Sequence, residues 1–388
     1  MVLCLSKIFL KHRLINAALN LILKIVYHGY FMRVLISAPN LDENKNVSGV
    51  SEVVKNISKI DGIAFSHFLI GSPDGHNQLT GKIIRNLLAI FSLWRHFLLG
   101  KFDIYHSNTA LNPPSILRDL IFTSIAKIMG VHVLLHLHGG KFISKESNGK
   151  KWHILIKMLC KKADLIITLS QQEKDHMHGM YGIDRNYMAV LSNCIDNPLS
   201  PTIQLTLKNK DTINFLFLGR ISLEKGILEI IEAFKGLDPL GNFKFTICGE
   251  GPLRDHACSC LSKILGNKFK YQGVVKGKLK EDILSKTHYI LLPSWYEGMP
   301  MTLLEALGKG AVPITTDVSV SINELIKHNC GIFVKPGDIN SLKEVLSKAI
   351  HRKFDWDKRS IKARGLITGK YKCKQMRTEL KKIYTDII

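Results

Sequence analysis

No two cysteines in this sequence stand as a C-x-x-C pair, and Cys258-x-Cys260 has no second pair with which to share a metal. That excludes the common zinc ribbons and fingers, which need two closely spaced ligand pairs. The eight cysteines are scattered, several in apolar settings such as Cys248 after Phe245, Thr246 and Ile247. In a chain of 388 residues they read as small buried thiols of a reducing cytoplasm, not as a disulfide framework. Acid is scarce as well: 32 Asp and Glu against 54 Lys and Arg leave a net charge of +22. Such a field attracts phosphorylated small molecules, anionic lipid headgroups or nucleic acid. A merely solvated basic surface is the plain alternative. No zinc, RNP or similar module accompanies the charge, so nucleic acid is not an expected partner.

Long apolar runs are also missing. The stretch Leu14–Leu23 is interrupted by Asn16 and Asn20 and flanked by Lys7, Lys11, Arg13 and Lys24. It is too short to span a bilayer, and no small-x-small cleavage site follows it. Two readings of residues 1–31 stay open: a basic amphipathic helix lying on a membrane surface, or a start at Met32, just before the first strong strand. Repeats and low-complexity tracts are absent.

What is present is alternation. Nearly continuous apolar runs predict strands over 32–38, 64–70, 102–107, 132–138, 165–169 and 188–192. Helix-period segments lie between them, at 51–60, 82–99, 115–129 and 152–162. A Pro-rich and polar break follows, Asn197 to Pro201 and Lys208 to Asp211. The pattern then restarts, with strands expected at 213–218, 244–248, 270–274, 289–292, 312–315 and 331–334. Helices are expected at 227–234, 302–308, 322–327 and 341–351. The expectation is two doubly wound α/β domains, 32–200 and 201–370, with a terminal helix at 371–388 that can pack back on the first domain. Ligands of such sheets bind beyond the carboxyl ends of the strands.

The loops at those ends carry the chemistry. After Leu218 come Gly219, Arg220, Glu224, Lys225 and Gly226, two cations in one strand-to-helix loop, suited to a diphosphate. After Cys248 come Gly249, Glu250, Gly251 and Pro252; the glycines allow close backbone approach, although a tight structural turn explains them equally well. After Leu292 comes the most informative segment, Ser294 to Leu307. Glu297 lies in the loop, and Glu305 lies inside the helix that Pro300 helps to start. The amides of Gly298, Met299, Met301 and Thr302 sit at that helix N-terminus, where phosphate oxygens are favoured. In the first half, Gly49 follows the first strand, and His138, Gly139 and Gly140 end the fourth. By the two-residue period His136 shares the face of His138.

These motifs resemble the retaining glycosyltransferases of the GT-B class usually called family 4. The E-x7-E pattern matches Glu297 and Glu305, and the paired Arg and Lys match Arg220 and Lys225. The resemblance implies a GT-B architecture of two Rossmann-like domains facing a cleft. It also implies transfer of a hexose-type sugar from a UDP- or GDP-sugar to an acceptor hydroxyl with retention, without a cofactor or catalytic metal. Arg220 and Lys225 would hold the diphosphate, and Glu297 the transferred sugar, with His138 approaching that sugar. Glu305 would bind the ribose, and the backbone around Val274 and Val275 the nucleobase. Gly49, Gly219, Gly249, Gly251 and Gly298 to Thr302 would complete the donor site, with Pro300 among them. The turn Ser192 to Asp196 departs from the family's N-G-I-D by carrying Cys194. Charge and family habit together suggest a lipid-linked saccharide or other glycan acceptor, bacterial surface polysaccharide (lipopolysaccharide, O-antigen or capsule) as the product, and work at the cytoplasmic face of the inner membrane. Asp355-Trp356-Asp357 is the D-x-D pattern of metal-dependent glycosyltransferases, but it lies away from any strand end and reads as helix-flanking surface. A GT-B-like sugar-nucleotide epimerase and a non-catalytic sugar-nucleotide-binding protein are the competing readings. A phosphorylase would need a lysine-bound pyridoxal site, which is not evident.

Overall fold

Strand and helix alternate along the chain as a parallel sheet requires. A computed structural model describes residues 31–42, 48–71, 79–140, 142, 149–196, 198–199, 211–237, 241–318, 322–323, 326 and 328–388. The first sheet is built from β1 (Met32–Ala38), β2 (Ile63–Leu69), β3 (Ile104–Thr109), β4 (His132–Leu137), β5 (Leu165–Thr168) and β6 (Met188–Val190). Its helices are α1 (Gly49–Ile57), α2 (Leu79–Leu99), α3 (Pro113–Ile128), α4 (Lys150–Lys162) and α5 (Gln171–Tyr181). The second sheet holds β7 (Ile213–Leu218), β8 (Phe243–Cys248), β9 (Phe269–Tyr271), β10 (Tyr289–Leu292), β11 (Val312–Thr316) and β12 (Ile332–Val334). Around it run α6 (Ile227–Lys235), α7 (Arg254–Leu265), α8 (Gly277–Lys286), α9 (Met301–Gly308), α10 (Ile339–Ile350) and α11 (Trp356–Lys370). Helix α12 (Cys373–Ile387) closes the chain.

Both sheets are parallel and six-stranded, ordered β2-β1-β3-β4-β5-β6 and β12-β11-β10-β7-β8-β9. Successive buried residues go to opposite faces, which is why the strands read as unbroken apolar runs. In the first sheet Leu35, Tyr105 and Val133 pack under α2 and α3 with Leu93, Phe97 and Phe122. Leu135 and Ile166 pack under α3 and α4 with Ile116, Ile156 and Leu159. Their chain neighbours Val34, Ile36, Ile104, Leu134 and Ile167 face α1 and α12 instead. This last cluster continues without a break into the other sheet, through Met299, Met301, Leu303 and Ile290.

Helix α12 lies against the first sheet. Ile195 and Lys372 form a parallel bridge, Lys381 donates to the carbonyl of Asp61 at 2.7 Å, and Tyr384 is fully buried. At that joint Cys194 and Cys373 form a disulfide, with Cα atoms 4.9 Å apart across 179 residues. This corrects the reading of every cysteine as a thiol: the partners are brought together only by the return of α12, which no local spacing reveals. Cys160, Cys248 and Cys330 are buried thiols, as expected, and Cys258 and Cys260 are thiols partly exposed on α7. Asp355 caps α11 by accepting from the amide of Lys358 at 3.0 Å, so this member of the D-x-D is a helix cap. The expected extension at 1–31, all but its last residue, lies outside the described residues. So do Asn46 and Val47 of the first loop, most of the break at 197–211, and part of the helix expected at 322–327.

Candidate active site

The carboxyl ends of the two sheets meet on glycine. A Cβ placed on Gly139 would stand 2.6 Å from Gly298 Cα, and one on Gly298 would stand 2.8 Å from the His138 carbonyl oxygen. Gly139 has φ of +84°, so side chains are excluded there by conformation as well as by space. Gly49 opposes Met301, and Asn193 donates from Nδ2 to the Met299 carbonyl at 2.8 Å. Three segments of the first half therefore grip the loop 297–302 of the second. The Ser192–Asp196 turn thus acts as a joint: Asn193 holds that loop, Cys194 is cross-linked, and Asp196 pairs with Lys59 and Arg377.

Lys225 reaches this contact from a short 3-10 turn closed by Gly226, which is left-handed at φ 73° and packed on Pro293. Its Nζ lies 2.6 Å from Glu297 Oε1, and Ser294 Oγ donates to the same oxygen at 2.7 Å. Glu297 is only 9% exposed, so the ammonium and hydroxyl offset the cost of burying its charge. Arg220 stands exposed in the same loop. The Glu224 carboxyl is held below its usual range by hydrogen bonds from Ser222 and its own backbone, with the charges of Arg220 and Lys225 adding to them.

Glu305 is half-buried one helical layer away. Lys280 of α8 donates to its Oε1 at 2.6 Å, while Oε2 is buried without a hydrogen-bond partner. Burial raises its pKa, and Lys280 opposes that shift. Gly219, Gly249 and Gly251 interlock: a Cβ on Gly249 would strike the Gly219 carbonyl, and one on Gly251 the Ile221 carbonyl. Gly249 also donates to the Gly273 carbonyl at 2.7 Å, just before the buried Val275. The close approach these glycines permit is to neighbouring loop backbone. Met299 and Met301 bury their side chains in the continuous core, Thr302 is half-buried, and Pro300 caps α9.

Under the contact runs a row of histidines. His138 Nε2 bonds Asn108 Oδ1 at 2.7 Å, and its ring lies tilted against His136, with centroids 4.1 Å apart. His136 Nδ1 meets His106 Nε2 at 3.2 Å, and His106 Nδ1 meets the Tyr384 hydroxyl at 2.6 Å. Burial pushes His106 and His138 down to about 3 and His136 well below its ordinary range. The neutral rings allow two proton arrangements along the row. Where Tyr384 donates to His106, His136 carries its proton on Nε2; where His106 donates to Tyr384, His136 carries it on Nδ1 and its Nε2 is bare. That atom is buried and unpartnered. Asn108 donates from Nδ2 to the Ser37 carbonyl, so its Oδ1 accepts and His138 carries its proton on Nε2.

Sequence reasoning missed Lys280, Asn108, His106 and Tyr384. Each is an ordinary residue in its own segment, and only the fold sets it beside a site residue. Among the described residues no group of His, Cys, Asp and Glu is arranged to hold a metal ion.

Two family models match successive parts of the chain. "Glycosyltransferase Family 4" matches residues 65–197 and "Glycosyl transferases group 1" matches 202–364, so together they take in most of the chain. The chain belongs to the family 4 glycosyltransferases. An uncharacterized glycosyltransferase of Methanocaldococcus jannaschii is 23% identical over 371 residues, covering 86% of this chain and 88% of the relative. The Escherichia coli enzyme named UDP-Gal:alpha-D-GlcNAc-diphosphoundecaprenol alpha-1,3-galactosyltransferase is 23% identical over 335 residues, 79% of this chain and 81% of its own. The crystal structure of Anabaena HepE in complex with UDP-glucose superposes with a TM-score of 0.68 at 15% identity, over 92% of this glycosyltransferase and all of that chain. The two six-stranded parallel sheets with flanking helices are the GT-B fold of that neighbour.

Proposed function

We propose that this glycosyltransferase moves a hexose from a UDP- or GDP-sugar to an acceptor hydroxyl, with retention, during assembly of a bacterial surface polysaccharide. The observation that carries the reading is the Lys225–Glu297 pair, 2.6 Å apart, set where Gly298 meets Gly139. A cation for phosphate and a carboxylate for sugar hydroxyls stand together where the two sheets touch. Arg220 and Lys225 hold the donor diphosphate and offset charge on the departing nucleotide. Glu297 takes hydroxyls of the transferred sugar, and the amides at the start of α9 take the distal phosphate. Glu305, oriented by Lys280, offers its unpartnered oxygen to the ribose. The backbone near Val275 meets the base. His138, fixed by Asn108, lines the sugar side as a neutral imidazole.

The acceptor is a lipid-linked saccharide, in keeping with the diphosphoundecaprenol in the name of the Escherichia coli relative. We place the enzyme peripherally on the cytoplasmic face of the inner membrane: its charge is +22, and no helix among the described residues is long and apolar enough to cross a membrane. A panel of nucleotide sugars incubated with membrane extract, read by mass spectrometry, tests the reading. One donor should add a hexose to a lipid-soluble glycan, and Glu297→Ala should cut the rate by on the order of 10² or more with the far-UV spectrum unchanged. Full activity in that variant would remove the assignment.

A further inference from the structure

The outward faces of three neighbouring helices break the rule that a surface helix shows polar residues to water. On α2 the exposed stripe is Leu88, Phe91, Arg95, Leu98 and Leu99, spaced by three and four residues, with Phe91 72% and Leu99 76% exposed. On α3 the same stripe is Leu117, Ile121 and Ile128 beside Lys127. On α4 it is Ile154 and Met158 between Lys151 and Lys161. All three helices cover one side of the first sheet, because their inner residues pack on Leu35, Tyr105, Val133 and Leu135. Three helices side by side make a surface roughly 20–30 Å wide.

The charge on the outer faces of α2 and α4 has one sign, whereas Lys127 of α3 is paired with Asp164 at 2.6 Å. Helices α2 and α4 contain no Asp or Glu at all. The single acid of α3, Asp119, is fully buried and held by Arg118 at 2.7 Å. A partner that fits this face is apolar across its width and anionic where it meets α2 and α4. A second copy of the chain brings the same cations and is disfavoured by repulsion. Residues 1–30 also carry Lys and Arg and no acid, so they do not complement it either.

We infer that the α2–α3–α4 face docks on an anionic phospholipid bilayer, its Leu, Ile and Phe side chains entering the headgroup boundary while Arg95, Lys151 and Lys161 meet lipid phosphates. The choice of lipid as the anion rests on the membrane-borne acceptor proposed above; the need for an apolar anionic surface does not. The three helices follow β2, β3 and β4, so their N-terminal ends stand at the carboxyl edge of the sheet, beside the candidate active site. Docking on this face sets the mouth of the site close to the bilayer.

Sedimentation of the full-length protein with phosphatidylcholine vesicles, with and without phosphatidylglycerol, tests the inference. Binding should require phosphatidylglycerol and weaken as salt rises. Lys151→Glu with Lys161→Glu should bind roughly tenfold more weakly or worse. Phe91→Ser with Ile121→Ser should remove the part of binding that persists at high salt. All four positions are exposed, and the UDP- or GDP-induced rise in melting temperature should match the parent's in both variants. Vesicle binding without any nucleotide shift in the parent supports the surface and counts against the donor site. Variants that bind vesicles as well as the parent overturn the inference. So does a parent dimer that Phe91→Ser with Ile121→Ser converts to monomer, which would make the face an interface between copies.

Discussion

Three imidazoles in a row at the end of a parallel sheet favour the neutral form, since His106 and His136 are fully buried and His138 half-buried, where a charge is poorly solvated. That preference makes the row acid-sensitive, and the sign follows from linkage. An unfolded histidine takes its proton near 6.5, whereas folded His106 and His138 resist it down to about 3. The unfolded chain therefore binds more protons in between. The contribution is complete above about pH 6.5 and is lost as pH falls toward 3. Denaturant unfolding measured between pH 7 and pH 5 should show stability dropping, by up to about 1.4 kcal/mol per pH unit for each histidine below 6.5. His106→Gln should flatten that slope. A parent slope that His106→Gln leaves unchanged would mean the row is not the titrating element. Little of this was legible in the sequence: His136 and His138 share a face by period two, but His106 is on another strand and Tyr384 is 278 residues beyond it.

Elements were legible in proportion to how much apolar surface they bury. The twelve runs expected as strands each hold a strand, within a residue or two at most ends, because a strand covered on both faces has no polar interruption. Helices α7 and α8 were harder: α7 buries only Ala257 and Leu261, and α8 only Leu284, so their apolar period is faint. The loops at the strand ends stood out as candidates because Gly, Arg, Lys and Glu there have few structural reasons to be present. The Cys194–Cys373 bond was not, because it joins elements rather than residues within one. It closes a loop around the whole second sheet, which restricts the unfolded chain. Cys373→Ser, or reduction, should lower the unfolding free energy by about 2–4 kcal/mol in a urea titration followed by tryptophan fluorescence. The intact mass of the denatured parent should be two hydrogens below the all-thiol value. An all-thiol mass, or a midpoint indifferent to reductant, would show that the cross-link does not hold the joint.

At the scale of the whole molecule, charge and geometry make separable claims about the donor. A net charge of +22 attracts any polyphosphate, and that attraction is long-ranged and salt-screened. The site makes a narrower claim: Arg220 and Lys225 for the diphosphate, Glu305 with its unpartnered oxygen for the ribose, and the Val275 segment for the base. A ligand that binds only the folded chain raises its melting temperature, by roughly 3–6 °C at a hundredfold excess over Kd. One of UDP and GDP should do so well above the other, and should keep most of the shift at high salt. Inorganic pyrophosphate carries the charge without ribose or base, so its shift should be smaller and should fade with salt. Glu305→Ala should reduce the nucleotide's shift to that of pyrophosphate while leaving pyrophosphate's own shift in place. Equal shifts from pyrophosphate, UDP and GDP would assign binding to the field of the molecule and leave Glu305 and Lys280 as a structural ion pair.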